Sequence, residues 1–198
     1  LQEVDVSTVT PTDGQVLAYN LANTEYEPVA QSGGSGGSED YILLQHQETS
    51  GTDGGTATSG SWETGTLNAK PTDTGSNCTL SSNAFTLSAG TYRIYATSPF
   101  LATNSSKMKL RNTSDSTDVL IGTNDHADSG GSDNGVSIVA GQFTISSSKT
   151  FEMQRRVQTT KAANGYGVTA GFSVTEVYLQ VELWKEGTGG AGGTGGDE

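Results

Sequence analysis

"EVYLQVELWKE", Glu176 to Glu186, sets Val177, Leu179, Val181 and Leu183 at every second position. An extended chain turns successive side chains to opposite faces, so this spacing predicts a strand with one apolar face and not a helix, whose apolar residues recur at three and four. The same period returns upstream. "TYRIYAT" puts Tyr92, Ile94 and Ala96 on one face, and "FEMQRRV" does so with Phe151, Met153 and Val157, a stripe that Arg155 interrupts. "YILLQH" from Tyr41, "VLIG" from Val119 and "VSIVAGQFTI" from Val136 add further apolar runs. Between them lie clusters such as "TSGTDGGTATSGSW" and "TNDHADSGGSDNG", which are turn material. Short strands spaced by turns, with no long amphipathic helix among them, predict an all-β antiparallel sandwich or barrel.

Two Gly-rich stretches bracket this pattern, and they divide the chain. Residues 1–30 hold a short β module in which Gln15–Tyr19 pairs back on Tyr26–Val29; residues 31–38 form a Gly/Ser linker with a reach of about 15 Å. Residues 39–186 make the globular head and residues 187–198 a Gly-rich tail or second linker. An isolated two-stranded hairpin is marginal in water, so the first module is expected to borrow surface from neighbours. The amino terminus Leu1-Gln2-Glu3 has neither an initiator Met nor an export signal, which reads as a piece of something longer.

Ten Lys and Arg against 22 Asp and Glu leave a net charge of −12, the wrong sign for gripping phosphate backbones or anionic lipid. The expected partners therefore include neither nucleic acid nor membrane, and no window has the roughly 20 apolar residues that span a bilayer. Cys78 is the single cysteine, so no intrachain disulfide framework and no cysteine-based zinc cluster can form. Stability must come from packing or association.

The strand faces opposite the core stripes should be polar, yet Tyr95 stands between Arg93 and Thr97, and Tyr178 and Trp184 stand among Gln180 and Glu182. Large aromatics on an otherwise wet face suit a contact between protomers, so Tyr95, Tyr178 and Trp184 are the candidate interface residues.

Catalytic signatures are missing. His46 and His126 are the available general bases, and no Gly-x-Ser-x-Gly elbow accompanies them; His46 falls within a strand and reads as a packed imidazole. Asp125, His126, Asp128, Asp133 and Asn134 together offer several oxygen ligands for a hard cation, but their spacing matches no calcium loop, and the expectation is a solvated loop with no metal and no cofactor. Arg155, Arg156 and Lys161 are the compact basic group of the head and flank the Tyr166 loop. Basic and aromatic groups on a loop suit an acidic surface glycan; Arg155 itself, set in an apolar stripe, is expected to pair with a buried acid or with other protomers.

"SGTDGGTATSGSWETGTLN", "NAFTLSAGTYRIYATSP", "VQTTKAANGYG" and "EVYLQVELWKEG", in this order, resemble the complement-globular-head and tumour-necrosis-factor-like jelly-roll module of bacteriophage tail fibres and related virion proteins, from about Tyr41 to Glu186. "DVSTVTPTDGQVLAYNLANTEYEPV" resembles a short module that precedes or repeats along such fibres, with Tyr19 where a Trp is often found. The resemblance implies a ten-stranded jelly roll, a homotrimer, a hairpin that serves as one bead of a trimeric shaft, and no catalysis. The expected function is a non-enzymatic virion fibre or appendage head that binds a host-surface glycan or protein and joins other virion proteins through its amino-terminal module. The alternatives are a purely structural capsid decoration or spacer and a secreted bacterial adhesin. Loop logic puts the receptor contacts at Asn104, Asp125, His126 and Tyr166.

Overall fold

The computed structural model describes residues 15–20, 25–30 and 39–187. Residues 31–38 and 188–198, read above as linker and tail, lie outside the described residues.

Two compact units emerge, the larger being Glu39–Gly187. In the smaller, β1 (Gln15–Asn20) pairs antiparallel with β2 (Glu25–Ala30), and Tyr19 faces Tyr26 with ring centroids 5.2 Å apart. Tyr26 is thus the packing partner that Tyr19 finds within the hairpin. Leu17, Tyr19 and Tyr26 remain substantially exposed.

The head is all β, with no helix among the described residues. Its strands are β3 (Asp40–Glu48), β4 (Glu63–Thr64), β5 (Ala69–Asp73), β6 (Cys78–Ser81), β7 (Ala84–Leu87), β8 (Gly90–Leu101), β9 (Asn104–Asn112), β10 (Thr117–Ala127), β11 (Asn134–Ile145), β12 (Lys149–Val157) and β13 (Glu176–Lys185). One sheet runs β11-β8-β13-β3-β5 and the other β10-β9-β12-β7-β6, with β4 added beside β12. The pairing is nested: β3 with β13, β7 with β12, β8 with β11 and β9 with β10, all antiparallel. A ribbon that pairs outermost with outermost and is then rolled into two facing sheets is a jelly roll.

The period of two fixes which side chains enter the sandwich. Tyr92, Ile94 and Ala96 of β8, Ile42 and Leu44 of β3, and Phe151 and Met153 of β12 are all buried in one core. Aromatic rings bind its layers: Phe85 stacks on Phe151 at 5.8 Å, Phe151 meets Phe143 of the opposite sheet at 5.4 Å, and Phe143 stacks on Tyr92 at 5.8 Å. Cys78 lies at the edge of this core, where burial pushes its thiol up to about 12.

One strand departs from the simple alternation. A register shift against β3 between Val177 and Gln180 inserts an irregularity into β13. A bulge exchanges the faces on its two sides. Val177, expected inside, is therefore 43% exposed, whereas Tyr178, expected outside, is 7% exposed and donates its hydroxyl to the Thr52 carbonyl at 2.5 Å. The candidate interface role of Tyr178 is corrected accordingly: the side chain is buried within the head, where it holds the loop at Thr52.

Phe151 touches both sheets through ring contacts, so Phe151→Ala should cost about 3–5 kcal/mol of unfolding free energy. Urea unfolding followed by near-UV circular dichroism checks this, with the unperturbed chain as reference.

Candidate functional site: a cationic groove on one sheet

Strands β9, β10 and β12 lie side by side, and their outward residues form the floor of an open groove of about 1000 Å³. Ser105 and Lys107 come from β9, Asn124 and His126 from β10, Arg156 and Gln158 from β12 and the residues just after it. The register sets them in rows. Arg156 is the direct partner of Lys107, which is in turn the partner of Asn124; Ser105 is the partner of His126. Gln158 closes the second row, its amide N–H donating to the Ser105 carbonyl at 2.8 Å.

The wall is the segment from Ser59 to Trp62. Its backbone turns at Gly60, whose φ of +103° is reached readily by a residue without a Cβ. Ser59 bridges to Val157 and donates its amide N–H to Thr160 Oγ1 at 3.0 Å, which pins the wall to the floor. Trp62 is half-buried, with the Lys109 ammonium 4.3 Å from its ring centroid. Lys109 and Arg111 both pair with Asp118, and these cations hold the Asp118 carboxyl below its usual range. The indole is thus fixed by a neighbour that is fixed in turn.

The sequence-predicted residues distribute unevenly over this surface. Asp125 and His126, expected in a loop, are in strand β10, which runs on to Ala127. Both line the groove; His126 is exposed, and Asp125 accepts a hydrogen bond from Ser106 Oγ at 3.1 Å. Asn104 opens β9 with a φ of +55°, and its amide is engaged at both ends: Nδ2 donates to Thr159 Oγ1 and Oδ1 accepts from the Ser129 N–H, each at 2.9 Å. It holds the rim. Tyr166 is corrected: at 4% exposure it is a core residue and no loop-tip contact. The alternation pattern missed Lys107, and Trp62 carried no signal beyond being an aromatic inside a turn cluster. Asp128 and Asp133 stand at the β10–β11 turn, and among the described residues no group of three or more His, Cys, Asp or Glu is placed to hold a metal ion.

Tyr166 instead belongs to a buried arrangement with Arg155 and Glu63. Arg155 is 2% exposed, its guanidinium carbon sits 3.4 Å from the Tyr166 ring centroid, and Nη1 lies 3.4 Å from Ser98 Oγ. The Tyr166 hydroxyl donates to Glu63 Oε2 at 2.5 Å. The expected ion pair to a buried acid is not made; Glu63 hydrogen-bonds the Tyr166 hydroxyl and attracts the guanidinium from farther away. Desolvation lowers the Arg155 pKa to about 10 despite the attraction of Tyr166 and Glu63, so burial outweighs its partners. His46, buried beside Tyr178 and 3.0 Å from Glu48 Oε1, is also lowered by desolvation, with Arg155 adding to the effect. It is a packed imidazole.

A second feature lies at one end of the other sheet. Val136, Val168 and Val177 border a shallow depression, and each is between 43% and 51% exposed. On the segment leading into β13, Phe172 is 78% exposed. Glu176 holds that segment: its carboxylate accepts hydrogen bonds from Thr169 Oγ1 at 2.7 Å and from the amides of Ala170 and Gly171 at 3.0 and 2.8 Å. These bonds stabilise the anion and draw its pKa down to about 2. On the outer face of the same sheet Tyr95 is 42% exposed, and Trp184 is half-buried between Tyr41, at 5.6 Å, and the Arg93 guanidinium.

No protein-family model and no curated protein matches the sequence. Among solved structures, murine APRIL at pH 5.0 aligns with a TM-score of 0.48 and 8% identity over 74% of this chain and 98% of its own. The globular domain of zebrafish complement 1qA aligns with a TM-score of 0.48 and 15% identity over 74% and 96%. The PRD1 vertex protein P5 aligns with a TM-score of 0.45 and 14% identity over 77% and 100%.

Two outcomes are expected here. Because desolvation outweighs attraction at Arg155, Arg155→Met should leave thermal stability equal or higher, whereas Arg155→Ala, which opens a cavity, should lose at least about 2 kcal/mol in chemical unfolding. The folded Glu176 pKa lies below the ordinary 4.5, so its contribution is full above that value and vanishes as pH falls toward about 2. Glu176→Gln should flatten stability against pH in that window and speed hydrogen exchange at Ala170 and Gly171.

Proposed function

We propose that this chain is a non-enzymatic, homotrimeric head of a viral fibre or virion appendage, which binds a host-surface glycan or protein. The observation that carries the reading is the outer face of the β11-β8-β13-β3-β5 sheet. Tyr95 is exposed there, Trp184 and Tyr41 pack on each other on the same sheet, and Val136 and Val177 add apolar surface at one end. Scattered apolar side chains on a surface are ordinary, but aromatic groups gathered on one sheet face suit cover by another copy. The groove belongs to the opposite sheet, so copies joined through this face would leave it open.

The virion setting is supported by the sequence resemblance to fibre modules and by the hairpin β1–β2, whose exposed Leu17, Tyr19 and Tyr26 suit contact with other fibre chains. Three copies on one axis present each weak contact three times, and linked engagement raises apparent affinity by about 10² to 10⁴ where the geometry permits it.

Sedimentation equilibrium at micromolar concentration should return three times the 20.4 kDa chain mass, and Tyr95→Arg should shift it toward a single chain. Isolated protein should compete with the virus for host cells. A well-folded single chain at that concentration rejects the trimer, and failure to compete favours a decoration or spacer.

A further inference from the structure

Of the ten Lys and Arg, most are engaged. Lys70, Arg93, Lys109, Arg111 and Lys149 hold carboxylates, Lys185 holds Asn77 and Ser88, and Arg155 is buried on Tyr166. Among the described residues Lys107, Arg156 and Lys161 are the cations whose side chains have no hydrogen bond or ion pair. Two of these three, Lys107 and Arg156, are direct cross-strand partners on the groove floor. Like charges set opposite each other on a sheet destabilise it. The arrangement is unexpected in a chain with more than twice as many acids as bases, where Asp125 is the single carboxylate residue that lines the groove. An anion placed between the two cations relieves the repulsion.

The rest of the groove suits a sugar. Its volume of about 1000 Å³ is at the upper end for small-ligand clefts. Asn124, Ser105 and Gln158 carry side chains able to donate to or accept from hydroxyl groups. Trp62 supplies a rigid apolar wall, held by Lys109. We infer that this groove binds an acidic oligosaccharide, with Lys107 and Arg156 on its carboxylate or sulfate and Trp62 against a ring. The inference rests on the binding-head reading and names the ligand class for it. Its two cations are too few for the phosphate track of a nucleic acid, whose binding draws on many such contacts.

The test is isothermal titration of the full chain with four probes: a hyaluronan tetrasaccharide (carboxylate only), a chondroitin sulfate tetrasaccharide (carboxylate and sulfate), the neutral chitotetraose and an oligothymidylate. At least one acidic tetrasaccharide should bind; binding of hyaluronan shows that a carboxylate suffices, and binding of chondroitin sulfate alone that a sulfate is required; chitotetraose should be at least about tenfold weaker, as expected for loss of a charge-assisted contact. Lys107→Ala and Arg156→Ala should each weaken binding by about tenfold or more without lowering the melting temperature, since each also removes the like-charge pair. Trp62→Ala should weaken it as well. The inference is overturned if neither acidic tetrasaccharide binds, if the variants bind as the parent does, if inorganic sulfate displaces the sugar at equal concentration, or if oligothymidylate binds more tightly through the same residues. Host-cell competition separates the two levels. A Lys107→Ala/Arg156→Ala head that competes as well as the parent sinks the saccharide site and leaves the binding head intact; a parent head that binds the sugar but never competes does the reverse.

Discussion

The run of rings Phe85, Phe151, Phe143 and Tyr92 is the contact on which the head depends, because it passes directly from one sheet to the other. Strand pairing alone would leave two sheets, each with an apolar face in water. Rings at 5.4 to 5.8 Å close the gap, and they add to the apolar burial that drives folding in a chain that is only 32% hydrophobic. Everything on the outside, including the groove floor, is positioned by which residues these inward rings leave pointing outward.

Electrostatics divides the molecule differently from packing. Arg155 shows what burial does to a cation here: the charge survives near neutrality because its pKa stays at about 10, but the site lowers it, and the compensating carboxylate is hydrogen-bonded to a tyrosine. One position along the same strand, Arg156 faces outward with no counter-charge and opposite another cation. The period of two thus separates a structural arginine from a surface one within a single dipeptide.

Much of the sandwich was legible from alternation. The stripes at Tyr92, Ile94 and Ala96 and at Phe151, Met153 and Val157 are buried as read, and Arg155 interrupts the second as read. Strand β9 was not legible, since its inward face has Met108 and Leu110 flanked by the polar Ser106 and Asn112, too little apolar signal to count. Nor was the inward turn of Tyr178, because a bulge adds a residue without changing composition. The candidate site was legible in part. Asp125 and His126 line the groove from a strand and not from a loop: polar residues in a strand whose outer face is wet look the same in sequence as a turn. Lys107 and Arg156 meet only through register, and register is set by pairings between strands about fifty residues apart.

The ladder between β3 and β13 has a consequence for how such a unit can be carried. Asp40 and Lys185 are paired residues, so the chain enters and leaves the head at adjacent positions, about 5 Å apart. A fold with this property takes up almost no span along the polypeptide that bears it. It can be spliced into a surface turn of an unrelated scaffold without prising the turn open, and removed again without leaving a gap to bridge.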